Sequence, residues 1–444
     1  MKLKGPLKHI FTVGSLTMVS RVLGFVREML QSRLIGAGVE QSAFTLAFAI
    51  PNMSRKLFGE GALTAAFVPI FKESVEKDGM EEAAKLARRV FVMMMLMLFA
   101  AVMLGWMFLG GFAAFNYHEM SPRSGLIVSL LAVLLPYMLF ICGAAFGMGV
   151  MNALGRFKAS SFMPCLLNII WIAALALLMF FPGIEIRYRI GFVSVAILFG
   201  GFAQMVFMFV CMHKAGIKIL RRSALPWNND KVCKVWRNTA LGALGAGAVQ
   251  INYMLDQVLG QLAAPWAAGV IGYAERLMDL PLGVVGVAFG TVLLPTFSGY
   301  FSKGDQAGAR AALKKYTLLM LAVMVPAAFV TFFAAPLIVR LIYQGGAFDA
   351  TATVRVARAL SVYGIGLAFF GVQRCLVPFF QAQMDMKTPL NVTVTTVFVN
   401  AALNILAVWL LPVEWRHVGL AASTTFCAAV GCCLLLAKLR RKVS

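Results

Sequence analysis

The chain has 444 residues, 61% of them hydrophobic and 13% charged, with a formal net charge of +22. Its mean hydropathy of +0.83 excludes an ordinary soluble domain, in which about a quarter of residues are charged. The basic excess does not read as a nucleic-acid surface either, because Lys and Arg are dispersed between apolar runs of about 20 residues, the length that crosses a bilayer as helix.

Hydropathy predicts about twelve spans, near residues 10–35, 42–71, 90–114, 124–151, 161–182, 190–213, 235–262, 266–301, 316–343, 354–381, 389–411 and 417–437. No small-residue cleavage site follows Lys2, Lys4 and Lys8, so the first run is expected to stay as a spanning helix. With the N-terminus inside, 26 of the 40 basic residues fall on inner segments, which predicts that both termini are cytoplasmic. Lys214, Lys218, Arg221, Arg222, Lys231, Lys234 and Arg237 form the largest inner cluster. They mark residues 215–234 as a basic cytoplasmic linker between an N-terminal lobe, 1–214, and a C-terminal lobe, 235–444.

The two lobes echo each other at a shift of 226 residues: Pro69 and Phe71 recur as Pro295 and Phe297, Lys77 as Lys303, and Tyr137 as Tyr363. A duplicated six-span unit follows, with both copies the same way up. The expected architecture is all-α and polytopic, two pseudo-symmetric six-helix lobes around a central cationic cavity.

Arg21, Arg27, Arg55 and Arg276 lie inside apolar runs, where a charge costs roughly 2.5 to 3.5 kcal/mol on insertion scales and usually marks a hydrated pathway. Their sign points to an anionic ligand. Arg21 and Arg27 are splayed by about 120° on a straight helix, so their convergence requires a bend, for which Gly24 is the site. Arg27 is also close enough to the end of its span to snorkel outward. Spans two and eight are long and interrupted, with Arg55 and Lys56 before Gly59, Glu60 and Gly61, and with Glu275 and Arg276 before Asp279, Pro281 and Gly283. Breaks at matching positions of two repeats point to a transport site. Glu60 reads equally as a partner for Arg55 or Arg21 and as a gating acid, and Arg276 as a ligand group or as a partner of Asp279 or Glu275.

Asp256 is a lone acid in span seven, Asn400 and Asn404 share a face of span eleven, and Thr424 lies in span twelve. Their oxygens suit a coupled monovalent cation, sodium or proton; the same residues also fit an interhelical hydrogen-bond network. No other cofactor is indicated. The eight cysteines show no C-x-x-C pair and read as small buried hydrophobes. His9, His118, His213 and His417 all lie near span ends, and no metal cluster, nucleophile triad or carboxylate pair emerges. An enzyme is therefore not expected. A multidrug antiporter would need cavity acids for organic cations, and here basic groups are at least as numerous.

The stretches SRVLGFVREML (Ser20 to Leu30), GAG (Gly36 to Gly38), AFTLAFAIPNMSRKLFGEGALTAAFVPIF (Ala43 to Phe71) and YAERLMDLPLGVVGVAFGTVLLPTFS (Tyr273 to Ser298) strongly resemble the lipid II flippase family MurJ (MviN) of the multidrug/oligosaccharidyl-lipid/polysaccharide exporter superfamily. The resemblance extends from span one to about span twelve. It implies a flippase of the bacterial cytoplasmic (inner) membrane that moves lipid II, the undecaprenyl-pyrophosphate-linked disaccharide pentapeptide, to the outer leaflet by alternating access. It implies further that Arg21, Arg27, Arg55 and Arg276 line the headgroup cavity with Glu60 beside them, and that Arg374 falls where relatives carry a basic residue. Besides lipid II, the implied partners are membrane lipids and no nucleic acid. Two departures stand out. Ser42 replaces the family's usual acid, with Glu40 two residues earlier, and the sequence carries twelve expected spans where the family usually has fourteen, the last two helping to hold the lipid tail.

Overall fold

The computed structural model describes residues 4–59, 61–116, 118–219, 221, 229–290 and 292–441. Among them the chain is helical apart from short turns and one isolated bridge between Gly345 and Phe348. The helices are α1 (Lys4–Ile35), α2 (Val39–Ser54), α3 (Ala62–Lys77), α4 (Gly79–Phe115), α5 (Pro122–Leu134), α6 (Tyr137–Ala153), α7 (Phe157–Met179), α8 (Ile186–Lys214), α9 (Asp230–Ala263), α10 (Ala267–Gly290), α11 (Leu293–Ser302), α12 (Gln306–Phe333), α13 (Ala335–Tyr343), α14 (Ala350–Ala382), α15 (Lys387–Leu410) and α16 (Val413–Arg441). A π-helical turn, Arg55–Gly59, follows α2.

The internal repeat is plain in the element order. Elements that start at Lys4, Val39, Gly79, Pro122, Phe157 and Ile186 recur as elements that start at Asp230, Ala267, Gln306, Ala350, Lys387 and Val413, at offsets of 226 to 230 residues. Residues paired by the sequence echo are also buried alike: Phe71 and Phe297 are both fully enclosed, as are Tyr137 and Tyr363.

Eight helical stretches among the described residues are long and apolar enough to cross a bilayer: α4, the α5–α6 pair, α7, α8, α12, α14, α15 and α16. The other expected spans are α1, α2 with α3, α9, and α10 with α11. These contain Arg21, Arg27, Arg55, Asp256 and Arg276, so charge and interruption are concentrated in the first two spans of each repeat.

The chain divides into two compact units. One comprises Met1–Ile35 with Leu46–Gln250, and the other Gly36–Thr45 with Ile251–Ser444. In the first, α1 packs on α7, α7 and α6 on α8, and α3 on α4. Hydrocarbon drives no helix association by itself, so close packing and small residues do the work; a Cβ at Gly201 of α8 would come within 2.6 Å of the Tyr137 ring on α6. Phe67, Phe71, Phe91 and Phe146 stack together inside this unit. In the second unit α14 and α15 pack on α16, α11 on α12, and α12 and α10 on α14, repeating the first unit's α6–α8, α7–α8 and α3–α4 pairings.

The second unit includes the corner between α1 and α2. Gly36, at φ +79°, lies so close to the Ala347 carbonyl that no side chain would fit. Its own carbonyl accepts from the Tyr273 hydroxyl at 3.2 Å. Tyr273 is packed with Tyr343 and Phe348.

One local expectation is corrected. The break in the eighth span is not at Asp279, Pro281 and Gly283, because α10 runs through all three to Gly290. A proline inside a buried apolar helix is tolerated where neighbouring groups satisfy the freed carbonyl, so Pro281 leaves the helix intact and the interruption falls before α11. The helix α1 is continuous through Gly24.

Candidate functional site

In the first unit the two arginines of α1 have different surroundings. Arg21 is exposed, on the side of the helix that carries exposed Met18 and Val22. Arg27, about a third of a turn away from it around the helix, is drawn inside. Its Nη1 donates to Asn168 Oδ1 on α7 at 3.0 Å, its Nη2 pairs with Glu28 Oε1 at 2.6 Å, and its guanidinium lies 4.3 Å over the Trp171 ring. Arg27 therefore does not snorkel outward. Asn168 also donates from Nδ2 to the Ser20 carbonyl at 3.1 Å, and so bonds α1 at two levels. Trp171 rests edge-on against Phe48 of α2, with ring centroids 5.7 Å apart.

Arg55 occupies the π-helical turn, where Nε donates to Asn52 Oδ1 at 3.1 Å. The wider turn re-aims the residues of the break, a common feature of functional sites. Glu60 lies outside the described residues.

The second unit holds Arg276 and Arg374, both exposed. Arg374 projects from α14 across α10 at Gly286, and a Cβ there would collide with its guanidinium. One residue before Arg276, Glu275 Oε1 accepts from the Tyr363 hydroxyl at 3.4 Å.

The four residues of the candidate cation site are brought together. Asn404 Nδ2 donates to Asp256 Oδ1 at 2.6 Å and to Asn400 Oδ1 at 3.0 Å, and Asn400 Nδ2 donates to Thr424 Oγ1 at 3.5 Å. Asn252, which sequence reasoning missed, donates to Asp256 Oδ2 at 3.3 Å. The carbonyl oxygens of Asn404 and Asn252 are buried without a hydrogen-bond donor. A carboxylate beside two unpartnered amide oxygens is a donor set that fits a hard cation. No group of three His, Cys, Asp or Glu side chains gathers as a metal site among the described residues.

Asn168, Trp171, Glu28 and Gly286 were also not identified from the sequence. Asn168 carried a signal, as the one polar side chain in the apolar run from Met163 to Met179, and so did Glu28, as an acid within the first span.

These features define a class: a multi-pass, all-helical membrane transporter built from a repeated six-span unit, with cations exposed in its charged spans. The same fold is seen in an inward-facing multidrug resistance transporter of the MATE family, with a TM-score of 0.77 over 97% of this chain and 98% of that one, at 14% identity. A solved lipid II flippase MurJ in an inward closed conformation has a TM-score of 0.80 and 25% identity, over 96% of this chain and 87% of that one. A family model described as lipid II flippase MurJ matches residues 31–444. A probable lipid II flippase MurJ of Rhizobium tropici is 33% identical over 409 residues, covering 90% of this chain and 75% of that protein. The lipid II flippase MurJ of Burkholderia cenocepacia is 31% identical over 447 residues, covering 98% and 84%. The chain belongs to the lipid II flippase MurJ family.

Proposed function

We propose that this chain translocates lipid II from the cytoplasmic to the outer leaflet of the bacterial inner membrane by alternating access, with both termini in the cytoplasm. The pyrophosphate that joins the polyprenol to the disaccharide pentapeptide is the group recognised. Arginine's planar fork matches phosphate oxygens and stays charged at any working pH; Arg21, Arg27, Arg55 and Arg276 receive the anion, with Arg374 as a further cation and Glu60 as the acid that moderates them. The tail stays in lipid while the headgroup crosses in a hydrated, cationic cavity. Access to the headgroup site alternates between the two sides of the membrane. An inside-negative potential favours outward movement of the anion by about 2.3 kcal/mol per charge per 100 mV.

The observation that carries this reading is the exposure of Arg21, Arg276 and Arg374 on helices of an otherwise apolar chain. Family membership supplies the substrate. The network of Asp256, Asn400, Asn404, Thr424 and Asn252 supports a coupled monovalent cation, which would bridge α9 to α15 and α16 and neutralise a half-buried carboxylate.

Complementation of flippase-depleted cells tests the reading. Arg21→Ala or Arg276→Ala should fail to support growth at normal membrane levels of the protein, whereas full growth of both variants would contradict it.

A further inference from the structure

Each repeat places a buried amide of its fifth span against a charged side chain of its first. In the second unit Asn404 of α15 meets the Asp256 carboxylate of α9; in the first, Asn168 of α7 meets the Arg27 guanidinium of α1. The same two spans of the repeat are hydrogen-bonded, and the charge is reversed. Where the second unit offers a carboxylate and unpartnered oxygens, the first already contains a cation on a tether.

From this correspondence we infer that Asn168 is a positioning residue for Arg27: it fixes the guanidinium at the α1–α7 joint, and with it the register of α1, so that Arg27 meets the pyrophosphate at a set depth. The inference rests on the proposed role of the arginines as the pyrophosphate receptor.

Four observations carry it. Asn168 is 7% exposed, and both ends of its amide are used, Oδ1 by Arg27 and Nδ2 by the Ser20 carbonyl. Trp171, three residues on and so on the same face of α7, supports the guanidinium from below. Glu28 neutralises one edge, which makes a partly buried arginine tolerable without ligand. Finally, Arg27 Nε is buried with no hydrogen-bond partner. A guanidinium has five N–H donors, of which the bonds to Asn168 and Glu28 use two; with 13% of the side chain exposed, donors remain for a phosphate oxygen. A residue that only glued α1 to α7 would not need to address Arg27 at all, since its bond to the Ser20 carbonyl already joins the helices.

The test uses full-length protein in proteoliposomes, with binding and flipping of labelled lipid II measured for Asn168→Leu, Asn168→Asp and Arg27→Ala, singly and as the Asn168→Leu/Arg27→Ala double variant. Asn168→Leu removes both hydrogen bonds while keeping the same branched heavy-atom skeleton and should lower flipping by about tenfold or more, the size of a lost bond to a charged group. Asn168→Asp keeps an acceptor for Arg27 and should stay within about threefold of wild type, because the carboxylate still receives the guanidinium, now as an ion pair. In the Arg27→Ala background Asn168→Leu should cost nothing further, since residues that act as a unit are non-additive. Equal losses for Leu and Asp, or an undiminished loss in the Arg27→Ala background, would overturn the inference and leave Asn168 as helix glue. Unchanged lipid II binding and flipping in Arg27→Ala would instead show that the receptor reading has failed for this arginine. Thermal melting of each variant in detergent identifies a fold that has collapsed, in which case Asn168→Ala, which removes the same two hydrogen bonds without adding bulk, replaces Asn168→Leu in the same cycle.

Discussion

Asn404 donates its amide to Asp256 across the α9–α15 joint at 2.6 Å, while the carbonyl oxygen of the same amide is buried without a donor. One side chain thus satisfies a carboxylate and leaves an acceptor open beside it, which is how a site for a small cation is built from an amide. Asp256→Asn should therefore remove the cation's counter-charge while preserving shape. Cation stimulation of lipid II flipping in proteoliposomes should disappear, with flipping about tenfold slower than wild type, the worth of one charged hydrogen bond. Binding of the headgroup should be retained. A variant that keeps the full response to a sodium or proton gradient would remove the cation from the mechanism.

Gly286 and Arg374 give a test that separates function from stability. A Cβ at Gly286 meets the mobile end of Arg374 rather than backbone, so Gly286→Ala should push the guanidinium aside and leave α10 intact. Alanine also favours helix over glycine by about 1 kcal/mol. The melting temperature should hold or rise while flipping falls toward the level of Arg374→Ala. A Gly286→Ala protein as active as wild type would show that Arg374 does not act from this position.

Much of this architecture was legible in the sequence. The repeat could be read from Pro69, Phe71 and Tyr137 and their counterparts because enclosed residues keep their type when a lobe is duplicated. The charged spans could be read because arginine in an apolar run is costly wherever it lies. The fate of each arginine was not legible: Arg21 and Arg27 differ by six positions on one helix, and only the partner helix decides that one is exposed and the other meets Asn168 and Trp171. The second break was misplaced because Pro281 looks like a helix end in sequence, yet α10 absorbs it. Gly286 was invisible, since its meaning lies in a side chain 88 positions away.

Outside the membrane, Asp78 between α3 and α4 accepts from Lys231 at the start of α9 and from the Ser74 hydroxyl. These bonds hold its carboxyl below the usual aspartate range. A carboxyl lowered on folding stabilises the tie above its unfolded value, about 3.9, and the tie is lost as pH falls through the lower folded value. At neutral pH it is fully present. Because the pair is exposed and screened by salt, Asp78→Asn should raise hydrogen exchange locally, over residues 229–235, without moving the global melting temperature. An unchanged exchange rate there would mean that the bond does not hold the start of α9.

The central claim is that arginines carry the pyrophosphate across, and the most direct measurement of it is the sidedness of labelled lipid II headgroups in vesicles containing either the wild-type chain or Arg276→Ala. The wild type should transfer headgroups from the loaded leaflet to the opposite one, and Arg276→Ala should leave them where they were loaded. Equal transfer by the two proteins would contradict the account.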